Sequence, residues 1–291
     1  MLVQAQNMIE SNIFQYNYQI RAFSLHRHFH RFSELVYIMD GNLRFTVRSS
    51  TYYAQAGDFI FIHPMQVHGY HSPGTCNCVV CTFPDSLIGG MISSLNQVGE
   101  TPVFHCRESI EKFFYSTFVI GEIDGIGLRD DGRMPKSIDR HIIDYSNPAV
   151  RGQLQGCLMA VVGEYLRCVP MVDCPRDENV VVKLFNYLHE HSSEPLTLVS
   201  SSAALGYSAN YLSHCIQKTS GMNFSTILAS FRIEHAKYLM HTTDESNLNI
   251  AHESGFGSES SFQRMFKRIV GCTPTDYRKR IKSPAIRKQS S

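Results

Sequence analysis

Ser208 to Gly221 reads SANYLSHCIQKTSG, and fifty residues later Ser258 to Gly271 reads SESSFQRMFKRIVG. Each copy opens on a serine able to cap a helix N-terminus. Each closes on a glycine able to take the left-handed position beyond a helix end. Within them Leu212 and Ile216 align with Phe262 and Phe266, four apart and therefore on one helical face. Two equivalent helices are predicted. Before each lies a glycine-containing turn, Leu205-Gly206-Tyr207 or Gly255-Phe256-Gly257, preceded by a short helical stretch carrying Ala203-Ala204 or Ile250-Ala251. A helix, a tight turn with glycine and a second helix with polar outward residues is the helix-turn-helix pattern. A plain bundle would explain the periodicity but not the duplicated turn. Between the copies, FSTILASFRIEHAKYLMH (224–241) reads as one amphipathic helix with Ile227, Leu228, Phe231, Leu239 and Met240 inward. At about 1.5 Å per residue it is roughly 27 Å long, near the ~34 Å between successive major-groove faces of DNA.

The charge distribution supports a phosphate-bearing partner. The chain is almost neutral, at +1, yet 261–291 carries nine basic residues against the single acid Asp276. A positive end on a neutral protein is an electrostatic footprint for nucleic acid, although the last residues, SPAIRKQSS, read as a solvated tail. At 291 residues the chain suits two domains and a connector. No apolar run approaches the roughly 18–20 residues that span a bilayer, and the N-terminal MLVQAQNMIESNIF lacks the features of a secretory signal. The expected location is the cytoplasm. Nine cysteines, an odd number scattered over the chain, fit reduced thiols better than disulfides. In the one dense group, Cys76 and Cys78 share a strand face and Cys81 lies on the other.

Residues 34–83 alternate in short runs, ELVYIM, LRFTV, DFIFI and CVVCTF, with a hairpin signal at Asp40-Gly41-Asn42 and a turn at Ala56-Gly57-Asp58. They predict a small β-barrel or sandwich. Two helices follow, over 108–120 and 150–168, separated by a Gly- and Asp-rich loop (121–146). Residues 169–178 read as an interdomain linker. The apolar face of the second helix, with Leu154, Leu158, Val161, Val162, Tyr165 and Leu166, suits either a partner subunit or the chain's own core.

The stretches GYSANYLSHCIQKTSGMNFSTILASFRIEHAKYLM and GFGSESSFQRMFKRIVGCTPTDYRK strongly resemble the AraC/XylS family of bacterial regulators, over about residues 178–281. One departure is SNLNIAHESGF, where Asn247 falls near a position the family keeps apolar, so a short helix is expected there. The resemblance implies that Asn210, Ser213 and His214 of the first recognition helix face bases. In the second it implies Glu259, Ser260, Gln263 and Arg264. Independently, Arg264 and Gln263 have forked donors that suit guanine and adenine edges, while Lys218, Lys267 and Arg268 suit phosphates. Glu259 must accept from a cytosine amino group or be repelled by phosphate.

The N-terminal half looks like a cupin, on His28-Phe29-His30, Glu34, Gly41, Gly57-Asp58 and His68, with Met65 and Ser72 departing from the enzyme pattern. The resemblance implies that His28, His30, Glu34 and His68 converge inside one barrel. Three readings stay open. The four residues form an effector pocket with Tyr37 and Phe61, flanked by His63, His71 and Arg27 and suited to a hydroxylated ligand such as a carbohydrate; or they bind a divalent metal; or they are structural.

The expected fold is thus α+β. A cupin-like sensing barrel occupies 1–85, a helical and dimerising connector 86–168 and a linker 169–178. A double helix-turn-helix domain (179–282) and a basic tail (283–291) follow. The expected function is an effector-responsive transcription activator with no catalytic residues, binding double-stranded promoter DNA as a homodimer and working with RNA polymerase, away from membranes. The alternative is a metal-dependent cupin enzyme fused to a DNA-binding module.

Overall fold

The computed structural model describes residues 13–19, 24–30, 32–71, 74–92, 95, 97–120, 139–144 and 147–281. The basic tail, Ser72 and, of the predicted loop 121–146, residues 121–138 and 145–146 lie outside them. The chain divides into two compact units, one spanning Glu10–Cys174 and one running from Pro175 onward.

The first unit is strand-rich. Its strands are β1 (Ile13–Gln19), β2 (Ser24–His28), β3 (Ser33–Val47), β4 (Ser50–Gln55), β5 (Phe59–Ile62), β6 (His68–His71), β7 (Cys76–Phe83), β8 (Gln97–Gly99), β9 (Val103–Phe104), β10 (Asp139–Asp144) and β11 (Met171–Asp173). The main sheet runs β10-β1-β7-β3-β5-β9, with β2 on β6 and both β4 and β6 on β3, all antiparallel. β3 organises it. Its first half pairs with β5 and β7 and its second half with β4 and β6.

The switch falls at a bulge between Ile38 and Asp40, where the predicted Asp40-Gly41-Asn42 hairpin is corrected. The strand does not turn there. Gly41 takes φ +84° within β3, and a Cβ on it would lie 2.1 Å from the Thr75 carbonyl oxygen, so glycine marks a close backbone approach. The hairpin comes later, at Arg48-Ser49 between β3 and β4. The turn expected at Ala56-Gly57 is present, with Gly57 at φ +89° and the Asp58 carboxylate accepting from the Gln55 amide at 2.8 Å.

Period-two alternation gives β3 two buried faces. Leu35 and Tyr37 pack with Phe59, Phe61, Val79, Cys81 and Phe83. Against that face lie α1 (Glu108–Tyr115), which runs on into a π-helical turn at Ser116–Ile120, and α2 (Pro148–Cys168). Leu154, Leu158, Val161, Val162 and Tyr165 of α2 are buried in this same core, each worth roughly 1.5–3 kcal/mol. Of the two readings of that helix face, the intramolecular one describes it. Val36 and Ile38 point the other way, among Phe45, Ile60, Ile62, Tyr70, Cys76, Cys78 and Val80. Cys81 indeed lies opposite Cys76 and Cys78, and all nine cysteines are free thiols. Inside the predicted linker, Met171–Asp173 instead forms β11, paired to β8, and the next helix already starts at Arg176.

The second unit is helical: α3 (Arg176–His191), α4 (Leu198–Ala204), α5 (Ala209–Ser220), α6 (Phe224–Thr242), α7 (Asn247–Glu253), α8 (Glu259–Val270) and α9 (Pro274–Ile281). The caps repeat as the sequence does. Ser208 accepts from the Tyr211 amide and Ser258 from the Ser261 amide, while Gly221 and Gly271 close α5 and α8 in left-handed conformation at φ +67° and +85°. Gly206 and Gly255 turn α4 into α5 and α7 into α8 at φ +75° and +82°. α7 is short, seven residues, and Asn247 donates from Nδ2 to Thr275 Oγ1 at 3.2 Å. No helix among the described residues is long and apolar enough to cross a membrane.

Candidate functional site

On α5, Leu212, Cys215 and Ile216 are buried, which turns Asn210, Ser213, His214 and Lys218 to solvent. On α8, Phe262, Phe266 and Ile269 are buried, and Ser260, Gln263, Arg264, Lys267 and Arg268 are exposed. Glu259 is half-buried and accepts from Gln263 Nε2 at 3.0 Å. This bond occupies one oxygen of the awkward carboxylate and orients the Gln263 amide.

Between the two helices runs a groove of about 740 Å³. Ser213 of α5, Arg232 of α6 and Arg264 and Arg268 of α8 contribute to its lining. Two of the predicted phosphate cations already have partners. Lys218 Nζ lies 2.7 Å from Asp177 Oδ2, and Arg268 Nη2 donates to Thr226 Oγ1 at 3.4 Å. Asp177 was invisible to sequence reasoning, since its partner is forty-one positions away.

In the first unit, His28, His30, Glu34 and His68 do converge. All four are buried, and one ligand atom from each lies within 4.8 Å of all the others. β2 brings His28 opposite His68 of β6, and β3 supplies Glu34. His30 Nε2 lies 3.1 Å from Glu34 Oε2, and His68 Nε2 lies 3.4 Å from Glu34 Oε1. The Nδ1 atoms face main-chain oxygens, His30 that of Phe32 at 3.0 Å and His68 that of Gln66 at 2.8 Å. A carbonyl can only accept, so both Nδ1 atoms carry hydrogen, and in a neutral ring Nε2 is then a lone pair. Burial raises the Glu34 carboxyl, but positive charge and donated hydrogen bonds at His68 and His30 hold it well below the usual carboxylate range. Two lone pairs aimed at a carboxylate repel unless the rings are protonated or a cation sits among them. Orienting a metal-binding imidazole through an Nδ1–H bond to a carbonyl is the common arrangement around such ions. The donor set therefore fits a divalent cation.

Tyr37 and Phe61 are not part of this cluster. Glu34 and Tyr37 are an odd number of residues apart on β3, and Phe61 is in register with Leu35. Both rings accordingly lie on the opposite sheet face. Tyr37 packs on Phe59 and Phe114 and donates to Glu111 Oε1 at 2.6 Å, while Phe61 packs on Tyr165 at 4.8 Å. The aromatic that does reach the cluster is Tyr70, whose hydroxyl donates to Glu34 Oε1. Its position two residues after His68 on the same strand face was the available signal. Of the flanking residues, His63 bonds Tyr165 Oη at 2.9 Å, Arg27 donates to the Arg48 carbonyl, and His71 lines a separate groove with Asn42, Arg44 and Tyr53.

A strand-rich unit with a buried ligand cluster, followed by a helical unit with two exposed polar helices, defines a two-part class: a ligand-binding domain joined to a helix-turn-helix domain. Two family models match accordingly, an AraC-like ligand binding domain over residues 16–111 and a helix-turn-helix domain over 201–280. The chain thus carries an AraC-like ligand-binding domain in its strand-rich unit and an AraC-type helix-turn-helix domain in its helical unit. Among curated relatives, an uncharacterized HTH-type transcriptional regulator of Staphylococcus aureus is 37% identical over 102 residues, 35% of this chain and 14% of the relative. YijO, an uncharacterized HTH-type transcriptional regulator of Escherichia coli, is 32% identical over 116 residues, 40% of this chain and 41% of the relative. The chain thus matches under half the length of either. Among solved structures, unsaturated fatty acid bound ToxT from Vibrio cholerae aligns with a TM-score of 0.57 at 14% identity, covering 94% of this chain and 97% of ToxT. That likeness is one of fold.

Proposed function

We propose that this chain is a sequence-specific DNA-binding transcription regulator, an effector-responsive activator acting in the cytoplasm as a homodimer on promoter DNA together with RNA polymerase. The observation that carries the reading is the pair α5 and α8, two serine-capped helices of one repeat whose outer faces are polar and exposed. α4–α5 and α7–α8 are read as two helix-turn-helix units. Asn210, Ser213 and His214 then face bases in one major groove, and Glu259, Ser260, Gln263 and Arg264 face bases in the next. Lys218, Lys267 and Arg268 hold phosphates. Footprinting on DNA upstream of neighbouring genes tests this: two protected major-groove segments about one helical turn apart are expected per subunit, and uniform or absent protection contradicts it.

The strand-rich unit is read as a cupin-type barrel whose effector site is the His28, His30, Glu34 and His68 cluster. Imidazoles with one carboxylate suit a divalent transition metal. When bound, such an ion supplies the positive charge that neutralises Glu34 and ties β2, β3 and β6 together. A carbohydrate has less support, because donor atoms within 4.8 Å of one another leave no room for a sugar ring among them. Its stacking partners Tyr37 and Phe61 lie on the other sheet face. ToxT's fatty acid does not transfer at 14% identity. Metal analysis of the purified chain is the test. One divalent ion per chain is expected in the wild type and none in Glu34→Gln/His68→Ala, with chelation lowering the Tm of the wild type only. A metal-free wild type that chelators leave unchanged contradicts the metal reading.

A further inference from the structure

Asp177 stands in the first turn of α3, two residues beyond Pro175, where the second unit begins. Its carboxylate runs along the flank of α5. Oδ1 accepts from Tyr211 Oη at 3.2 Å and from Cys215 Sγ at 3.6 Å, and Oδ2 accepts from Lys218 Nζ at 2.7 Å. These three residues are spaced i, i+4 and i+7, a single stripe from the first turn of the helix to its last. Asn210, Ser213 and His214 lie outside that stripe and are exposed. Asp177 therefore holds the helix without covering the face assigned to bases. Its partner Lys218 holds the carboxyl below the usual range, so the charge is present at neutral pH.

The consequence follows from counterion release. A free lysine meeting a DNA phosphate releases a condensed cation, and this release gives binding its salt dependence. Lys218 already carries an internal counterion, so its use by phosphate means breaking the pair with Asp177 first. Lys218 is 63% exposed and Asp177 25%. Pairs this open shift equilibria by only roughly 1.4- to 5-fold, so a phosphate can displace the carboxylate.

We infer that Asp177 is an electrostatic latch on the first recognition helix, withholding Lys218 from phosphate until bound DNA recruits it. The inference rests on the DNA-binding reading of α5. The latch weakens binding to any duplex, specific or not, while Tyr211 and Cys215 keep the helix in place. Asp177 is a positioning residue.

Asp177→Asn in the full chain tests it, because asparagine keeps an acceptor oxygen for Tyr211 and removes the charge. Binding to a promoter fragment and to a scrambled duplex is measured by fluorescence anisotropy across a KCl series. The variant is expected to bind both duplexes roughly 1.4- to 5-fold tighter, with the log–log salt slope steeper by up to about 0.9, one phosphate contact. In a Lys218→Gln background the same change is expected to do nothing. An unchanged slope, or a gain that persists without Lys218, overturns the latch. A wild type that binds neither duplex overturns the DNA-binding reading beneath it, which distinguishes the two failures.

Discussion

Gly255 lies against Ser193, so close that a Cβ on the glycine would fall 2.7 Å from the Ser193 carbonyl oxygen. Nearby, Arg232 of α6 donates from Nε to the Ser192 carbonyl and from Nη2 to the Glu194 carbonyl, both at 2.8 Å. The end of α3 is thereby docked on the turn between α7 and α8, and the long helix between the repeats satisfies its carbonyls. This junction ties the turn of the second copy to α3 and α6. Gly255→Ala combines a left-handed backbone with a clash and is expected to cost about 1–3 kcal/mol or more. Gly206→Ala meets nothing within 4 Å and bears the backbone cost alone. Urea unfolding of both variants checks this; a Gly255→Ala no less stable than Gly206→Ala would refute the junction.

Arg264 and Lys267 share the exposed face of α8 but not the expected role. Arg264→Ala is expected to lose roughly 1–3 kcal/mol of discrimination at one base pair, and Lys267→Ala to weaken binding to all sequences alike. Competition titrations with single-base-pair variants of the site separate them. Equal losses of specific and non-specific binding in both variants would remove Arg264 from base reading.

His63 carries a pH prediction. Burial, and then the charge of Arg48, push its imidazole from 6.5 down to about 4, so it is neutral in the folded chain. Below pH 6.5 the unfolded chain binds a proton that the folded chain refuses, so this residue's contribution is intact above that value. It is lost as pH falls towards 4, at up to about 1.4 kcal/mol per pH unit. His63→Gln should flatten the stability profile across that window by close to one proton. Parallel wild-type and variant profiles would show that His63 is not held neutral.

The helical repeat was legible in the sequence because its signals are local. Serine caps, left-handed glycines and four-residue apolar spacing each act within one turn of chain, and Ser208, Gly221, Ser258 and Gly271 do what their positions predict. The strand-rich half depends on register, which is set at a distance. Asp40-Gly41 carries a hairpin's chemistry, yet the carbonyl of Thr75 on a neighbouring segment makes it a bulge in a continuing strand. Neighbourhood in the sequence places Tyr37 and Phe61 with the histidine cluster, and strand parity sends them to the other face. The four cluster residues are legible only through the family resemblance, since His28 and His68 meet through the β2–β6 pairing. Residues 169–178 read as a linker in the sequence because the partner of β11, β8, lies some seventy residues earlier.

On the proposed reading, two exposed helices of one repeat grip DNA through phosphate and base contacts together. The most direct measurement is the affinity of the full chain for its own upstream DNA as a function of salt, beside a scrambled duplex of equal length. With even five phosphate contacts the log–log slope is expected near −4.5, at about −0.9 per contact, and the upstream sequence is expected to bind at least ~10³-fold tighter. A salt-insensitive affinity, or equal binding to both duplexes, would contradict DNA recognition by α5 and α8.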